Sequence, residues 1–126
     1  LVYHSDWFDV TRTEIVSDVS VAPGEHLLQF TFENKTEVPG GGATIRLFVD
    51  DAQVAEGEIE HQNRARFGVA CLDVGCYSLS PTSDRFPADK PNFPFTGEID
   101  HVTIRFAGRS NDISPREKLE QLLKLD

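Results

Sequence analysis

Glu98, Ile99 and Asp100 set two carboxylates two residues apart, on one face of any strand that carries them. This is the start of an E-x-D-x-x-E spacing, with which a strand places a nucleophile, a helper and a general acid for glycosidic-bond hydrolysis. The third carboxylate would fall at position 103, which is Thr103. Retaining hydrolysis needs two carboxyl groups about 5–5.5 Å apart, and this segment supplies no second catalytic member at the required place. Asp100 shares phase with apolar Val102 and Ile104, so it is expected to tighten the turn at Gly97 by accepting backbone N–H groups.

Metal chemistry has little to work with. His4, His26, His61 and His101 have no short paired spacing that would put two imidazoles on one helix face or hairpin, and they read mostly as surface histidines. Asp50, Asp51, Asp73, Asp84 and Asp89 lie in or near turns and have the right oxygens for calcium. Their spacing is not that of a calcium loop, however, and turn aspartates usually bond their own backbone. No cofactor is therefore expected, with calcium as the alternative. Cys71 and Cys76 are five apart, which on a strand points the thiols to opposite faces, so free thiols are expected.

The elements that would position a site read as β-strands. Alternating and apolar runs predict strands at about 7–19 with an interruption, 25–33, 43–50, 52–60, 64–69, 70–77 and 97–107. Pro23-Gly24 turns the chain into the second of these, where Leu28, Phe30 and Phe32 share a phase, and Asp50-Asp51 makes a short hairpin of the third and fourth. Residues 79–94 hold Pro81, Pro87, Pro91 and Pro94 and read as a long surface loop. Its Phe86, Phe93 and Phe95 either contact a partner or, in the preferred reading, pin the loop to the sheets. Ser114-Pro115-Arg116-Glu117 is a helix start, and Leu119, Leu122 and Leu123 form one stripe, so a helix is expected over about 114–125, docked on the sheets.

On the alternation, Arg46, Arg64, Arg66 and Arg105 point outward. Their first reading is cross-strand pairing with Glu and Asp, each pair worth a few tenths of a kcal/mol up to ~1. The second is a shallow anion- or sugar-binding face with Phe48 or Tyr77 as a platform, and the candidate binding residues are Arg46, Phe48, Arg66, Asp73, Tyr77 and Arg105.

Phe95-Thr96-Gly97-Glu98-Ile99-Asp100-His101-Val102-Thr103-Ile104 followed by a terminal helix resembles the closing strand of concanavalin A-like (laminin G-like) jelly rolls. Pro23-Gly24-Glu25-His26, Phe30-Thr31-Phe32, Gly40-Gly41-Gly42, Leu47-Phe48-Val49-Asp50-Asp51, Val54-Ala55-Glu56-Gly57, Leu72-Asp73-Val74-Gly75 and Pro94-Phe95-Thr96-Gly97 stand in order. That series is similar to the β-rich C-terminal domain of bacterial arylsulfatases, over about Phe8 to Phe106. Where that family places a basic and then an acidic residue after the valine-glycine pair, this chain has Cys76 and Tyr77, so the role of that acidic residue does not carry over. The resemblance concerns the accessory domain alone. A sulfatase nucleophile sits in a C-x-P-x-R or S-x-P-x-R frame, whereas Cys71 is followed by Asp73 and Gly75 at the proline and arginine positions, and Cys76 by Ser78 and Ser80.

With 126 residues the chain fits one domain, a sandwich over about 7–108 plus the helix. Its net charge of −9 repels phosphate backbones and anionic headgroups, which argues against nucleic acid and membrane partners. Residues 1–6 have neither the basic start nor the apolar middle of a signal peptide, and no apolar run is long enough to span a bilayer, so a soluble chain of undetermined compartment is expected. Methionine is absent, position 1 included, so Leu1 reads as a processed, trimmed or excised terminus of one domain of something larger. The sequence thus predicts an all-β, antiparallel two-sheet jelly-roll sandwich with a short C-terminal α-helix. Its first functional reading is a non-catalytic accessory domain that packs on a protein domain or a second copy. The second is a glycan-binding module, and the third a small jelly-roll hydrolase.

Overall fold

A computed structural model of the chain describes residues 1–63, 72–77, 83–90 and 92–106. The chain divides into two units, Leu1–Thr96 and Gly97–Asp126. The described residues are all-β, with two antiparallel sheets and no helix.

The first sheet is a hairpin of β1 (Val2–Trp7) and β2 (Thr11–Val16), in register Tyr3↔Ile15 and Trp7↔Thr11. This corrects the single interrupted strand expected over 7–19. Phe8 and Asp9 both adopt left-handed backbone, φ 54° and 60°, and Asp6 Oδ1 accepts the Asp9 N–H at 2.7 Å. Such a turn matches the twist of a hairpin, but it uses neither Gly nor Pro and so leaves no conspicuous mark in the sequence.

The second sheet has the order β3-β4-β5, with β3 Leu28–Asn34, β4 Ala43–Val49 and β5 Ala52–Ile59. These are the strands expected at 25–33, 43–50 and 52–60. Asp50 and Asp51, at φ 50° and 66°, make the two-residue turn that joins β4 to β5. A bulge in β5, facing Leu47 and Phe48, leaves Val54 unpaired in the ladder.

β4 is central, so its alternate side chains Ala43, Ile45 and Leu47 are the best covered in the sheet. With Ile59 of β5 and Ile15 of β2 they form the core, edged by Leu1, Tyr3, Val54 and Ala55. Period-2 alternation puts Tyr3 and Ile15 on the hairpin face that meets this apolar surface. Ile15 lies over Gly57, and the Tyr3 ring lies 5.8 Å from Phe30.

Two other strand expectations are corrected. Residues 72–77 form bends rather than a strand, with Gly75 at φ 81°. Residues 97–106 pair with no strand among the described residues, and Val102 and Phe106 are 57% and 84% exposed. Alternation says which face a strand would bury, but a strand also needs a neighbour to take its backbone hydrogen bonds. The strand expected at 64–69 and the helix expected at 114–125 lie outside the described residues. The described part of the 79–94 loop is a chain of turns, Phe86 N–H to Ser83 O, Lys90 N–H to Pro87 O and Phe93 N–H to Lys90 O.

Candidate functional site: the two faces of the three-stranded sheet

Residues opposite one another in an antiparallel ladder share a face. The outer face of the second sheet is therefore built in cross-strand rows: Glu33, Thr44 and Glu58; Thr31, Arg46 and Glu56; Gln29, Phe48 and Gln53. Arg46 lies between two carboxylates, Nη1 donating to Glu33 at 2.8 Å and Nε to Glu56 at 2.7 Å. Those hydrogen bonds, Glu33 first and then Glu56, raise the Arg46 pKa. Lys35 is paired with Glu58. Among the described residues three carboxylates stand against two cations on this face, and Arg46 is a cross-strand tie.

Phe48 is half-buried in that polar surface, with exposed Gln29 and Gln53 on either side. An aromatic ring between two amides can stack on an apolar ligand face and hydrogen-bond its edges.

The opposite face is apolar. Leu28, Phe30 and Phe32 of β3 stand across from Val49, Leu47 and Ile45. Ile45 and Leu47 are 0% and 2% exposed, whereas Leu28, Phe30 and Phe32 are 48%, 59% and 42% exposed. Three large side chains in phase on an edge strand thus make a strip continuous with the core and open along one side. The shared phase is readable in the sequence, but its exposure is not.

A third cluster lies on the outer face of the β1–β2 hairpin, where the 83–85 segment crosses it. Arg12 donates to Asp6 at 3.1 Å and to Asp84 at 3.2 Å and also holds Asp9. Glu14 accepts from Arg85 at 2.9 Å and meets His4 Nδ1 and Ser83 Oγ, each at 3.4 Å. Arg85 above all holds the Glu14 carboxyl below its usual range. Serine, histidine and carboxylate meet here in an order that is not that of a triad: Glu14 stands between Ser83 and His4, while a triad needs histidine in the middle. The guanidinium of Arg12 takes the position among three carboxylates that a cation would otherwise fill.

His4 departs from the surface reading: its side chain is 11% exposed under this cluster. His26 Nδ1 lies 2.7 Å from Asp50 Oδ2, and Asp50 Oδ1 accepts the Leu27 N–H at 2.9 Å. Among the described residues no three His, Cys, Asp or Glu side chains are grouped to hold a metal. Asp50 and Asp84 are engaged by His26 and Arg12, as described.

The remaining candidates are dispersed. Tyr77 packs on Phe86 at 5.5 Å with the rings tilted by 51°, and Phe86 stacks on Phe93 at 4.9 Å, so Phe86 and Phe93 of the proline-rich loop hold one another. Asp73 lies in the bend at 72–77, and Cys76 is an exposed free thiol. Arg105 belongs to the second unit and is exposed, as are Glu98 and Asp100, the latter bonded to His101 at 2.6 Å. Arg66 and Cys71 lie outside the described residues. The structure thus brings Arg46 and Phe48 onto one face.

Among the described residues no helix is long and apolar enough to cross a membrane. Comparison with family models, with curated protein sequences and with solved structures gives no match.

Proposed function

We propose that this chain is a non-catalytic interaction domain, a jelly-roll sandwich of the concanavalin A-like kind similar to the accessory domain of bacterial arylsulfatases, which works by packing on another protein surface. The observation that carries this reading is the Leu28-Phe30-Phe32 strip, exposed beside the buried Ile45 and Leu47. A flat apolar strip suits a protein surface, which excludes water from it, better than a polar ligand. The sequence supports a non-catalytic role in the same way, since Thr103 breaks the E-x-D-x-x-E spacing and neither cysteine has the proline and arginine of a sulfatase nucleophile frame.

An interaction strip can be made polar without unfolding the domain, whereas a core cannot. The Phe30→Gln/Phe32→Gln protein is expected to keep its β-type circular dichroism and a cooperative melt. Global unfolding of this variant would assign both rings to the core and remove the proposal.

A second reading, glycan binding, has one specific observation in its favour: the Gln29-Phe48-Gln53 row. A glycan array decides it. A reproducible hit abolished by Phe48→Ala would move this reading to first place.

A further inference from the structure

The two edges of the β3-β4-β5 sheet differ. β5 carries Glu56 and Glu58, is bulged at Val54, and its Val54 O accepts the Asp18 N–H at 3.4 Å. Charge, bulge and cover are the devices by which natural sheets block edge pairing. β3 has none of them: it contains no Pro, no Lys and no bulge, its one charge, Glu33, is held by Arg46, and no strand among the described residues pairs with its outer side.

The register shows which backbone groups that edge offers. Lys35 N–H donates to Gly42 O and Asp50 N–H to Leu27 O, so the odd-numbered residues of β3 hydrogen-bond toward β4. The N–H and C=O groups of Leu28, Phe30, Phe32 and Asn34 therefore point to the open edge. These are also the residues on the apolar face.

The sequence of β3 is balanced about its centre. An antiparallel mate centred on Thr31 would set Phe30 against Phe32, Gln29 against Glu33 and Leu28 against Asn34, using all seven residues. Phe30–Phe32 and Leu28–Asn34 would then be the hydrogen-bonded pairs and Thr31–Thr31 a non-hydrogen-bonded pair, as the alternation of an antiparallel ladder requires. No like charges face one another within the strand. A two-fold axis at Thr31 thus satisfies the edge amides, the face pattern and the charges together, which is the self-complementarity of an isologous interface.

We propose that two copies of this chain pair β3 to β3, antiparallel about a two-fold axis at Thr31, forming a continuous six-stranded sheet with a row of four phenylalanines on one face. The proposal rests on the reading of the Leu28-Phe30-Phe32 strip as an interaction surface and names its occupant. Each copy carries a net charge of −9, so mutual repulsion weakens the pair at low ionic strength and salt strengthens it.

The axis is tested by self-coupling in a Cys71→Ser/Cys76→Ser background. Thr31→Cys brings two thiols together across a non-hydrogen-bonded pair, where Cα atoms lie about 4.5 Å apart and a disulfide fits. It is expected to give a reducible covalent dimer on mild oxidation. Gln29→Cys and Glu33→Cys should not couple alone, but a mixture of the two should. In parallel, sedimentation equilibrium of the unmodified chain is expected to show a monomer–dimer equilibrium, weakened at least about tenfold by Phe30→Gln, the loss of an interface anchor. A chain that stays monomeric at every concentration, or coupling no better at Thr31 than at Gln29 alone, overturns the proposal. The Phe30→Gln/Phe32→Gln variant separates the two ways of failing. A folded double variant with a monomeric parent keeps the interaction strip and removes the second copy as its occupant, whereas an unfolded double variant removes both.

Discussion

A Cβ atom placed on Gly57 would stand 2.6 Å from Cγ1 and 2.8 Å from Cδ1 of Ile15. Gly57 lies opposite Ile45 in the ladder, so the absence of its side chain is what lets the hairpin reach the centre of the sheet. Gly57→Ala is therefore expected to destabilise the domain by about 1–3 kcal/mol, the usual effect of overpacking a filled core. Ile15→Ala in the same chain should recover part of that loss, because it removes the atoms that clash. Denaturant melts of the two single variants and the double variant measure this coupling, and purely additive losses would show that the two residues do not meet.

His26 and Asp50 hold the entry to β3 against the β4–β5 turn, and their titrations carry opposite signs. The hydrogen bond to Asp50, the larger cause, raises the His26 pKa, and the hydrogen bond to His26 lowers that of Asp50. The His26 contribution is complete below its unfolded pKa of about 6.5 and is lost as pH rises through the higher folded value. The Asp50 contribution is complete above about 3.9 and is lost as pH falls through its depressed folded value. The pair should thus stabilise most between those limits. The difference in melting temperature between the parent and His26→Gln is expected to shrink from pH 6 to pH 9, and a constant difference would exclude protonated His26 as the partner of Asp50.

The 83–85 segment is held to the hairpin by side chains rather than by a ladder. Arg85 to Glu14 and Asp84 to Arg12 are exposed ion pairs, which contribute little to global stability but can localise a loop. Glu14→Gln is expected to leave the melting temperature nearly unchanged while amide exchange across residues 83–90 becomes faster and its salt dependence weakens. Unchanged exchange would place the anchoring of this segment on the Asp84–Arg12 pair and on Phe86 and Phe93.

The parts of the fold that the sequence discloses are those whose cause is local. Alternation along 43–50 and 52–60 and the Asp50-Asp51 turn locate β4 and β5, because strand phase and turn geometry are set within a few residues. Arg46 likewise follows from phase: it points outward and finds glutamates across the ladder on both sides. The β1–β2 hairpin is hidden because its left-handed turn is made by Phe8 and Asp9, held by Asp6, without a residue that announces it. The exposure of Phe30 and Phe32 has the same kind of cause at longer range. Their phase is sequential information, but what covers a face is decided by the neighbouring strand, and among the described residues β3 has one on one side only. The cluster of Arg12, Glu14 and Asp84 joins residues about seventy positions apart, and single-sequence spacing carries no trace of it.

Hydrolysis on a jelly-roll strand needs two carboxylates converging on one cleft. Glu98 is exposed, Asp100 is exposed and bonded to His101, and position 103 is a threonine, so this segment lacks the third carboxylate of an E-x-D-x-x-E set. Ser83 reaches Glu14 and not His4, so the cluster lacks the serine–histidine contact of a triad. Cys76 is an exposed thiol without the proline and arginine frame of a sulfatase nucleophile. The purified chain is expected to show no turnover of aryl sulfates, β-glucans or aryl esters above the uncatalysed rate. Turnover lost on Glu98→Gln or Asp100→Asn would restore the carboxylate reading, and esterase activity lost on both Ser83→Ala and His4→Gln would show that the hairpin cluster rearranges into a working order when substrate binds.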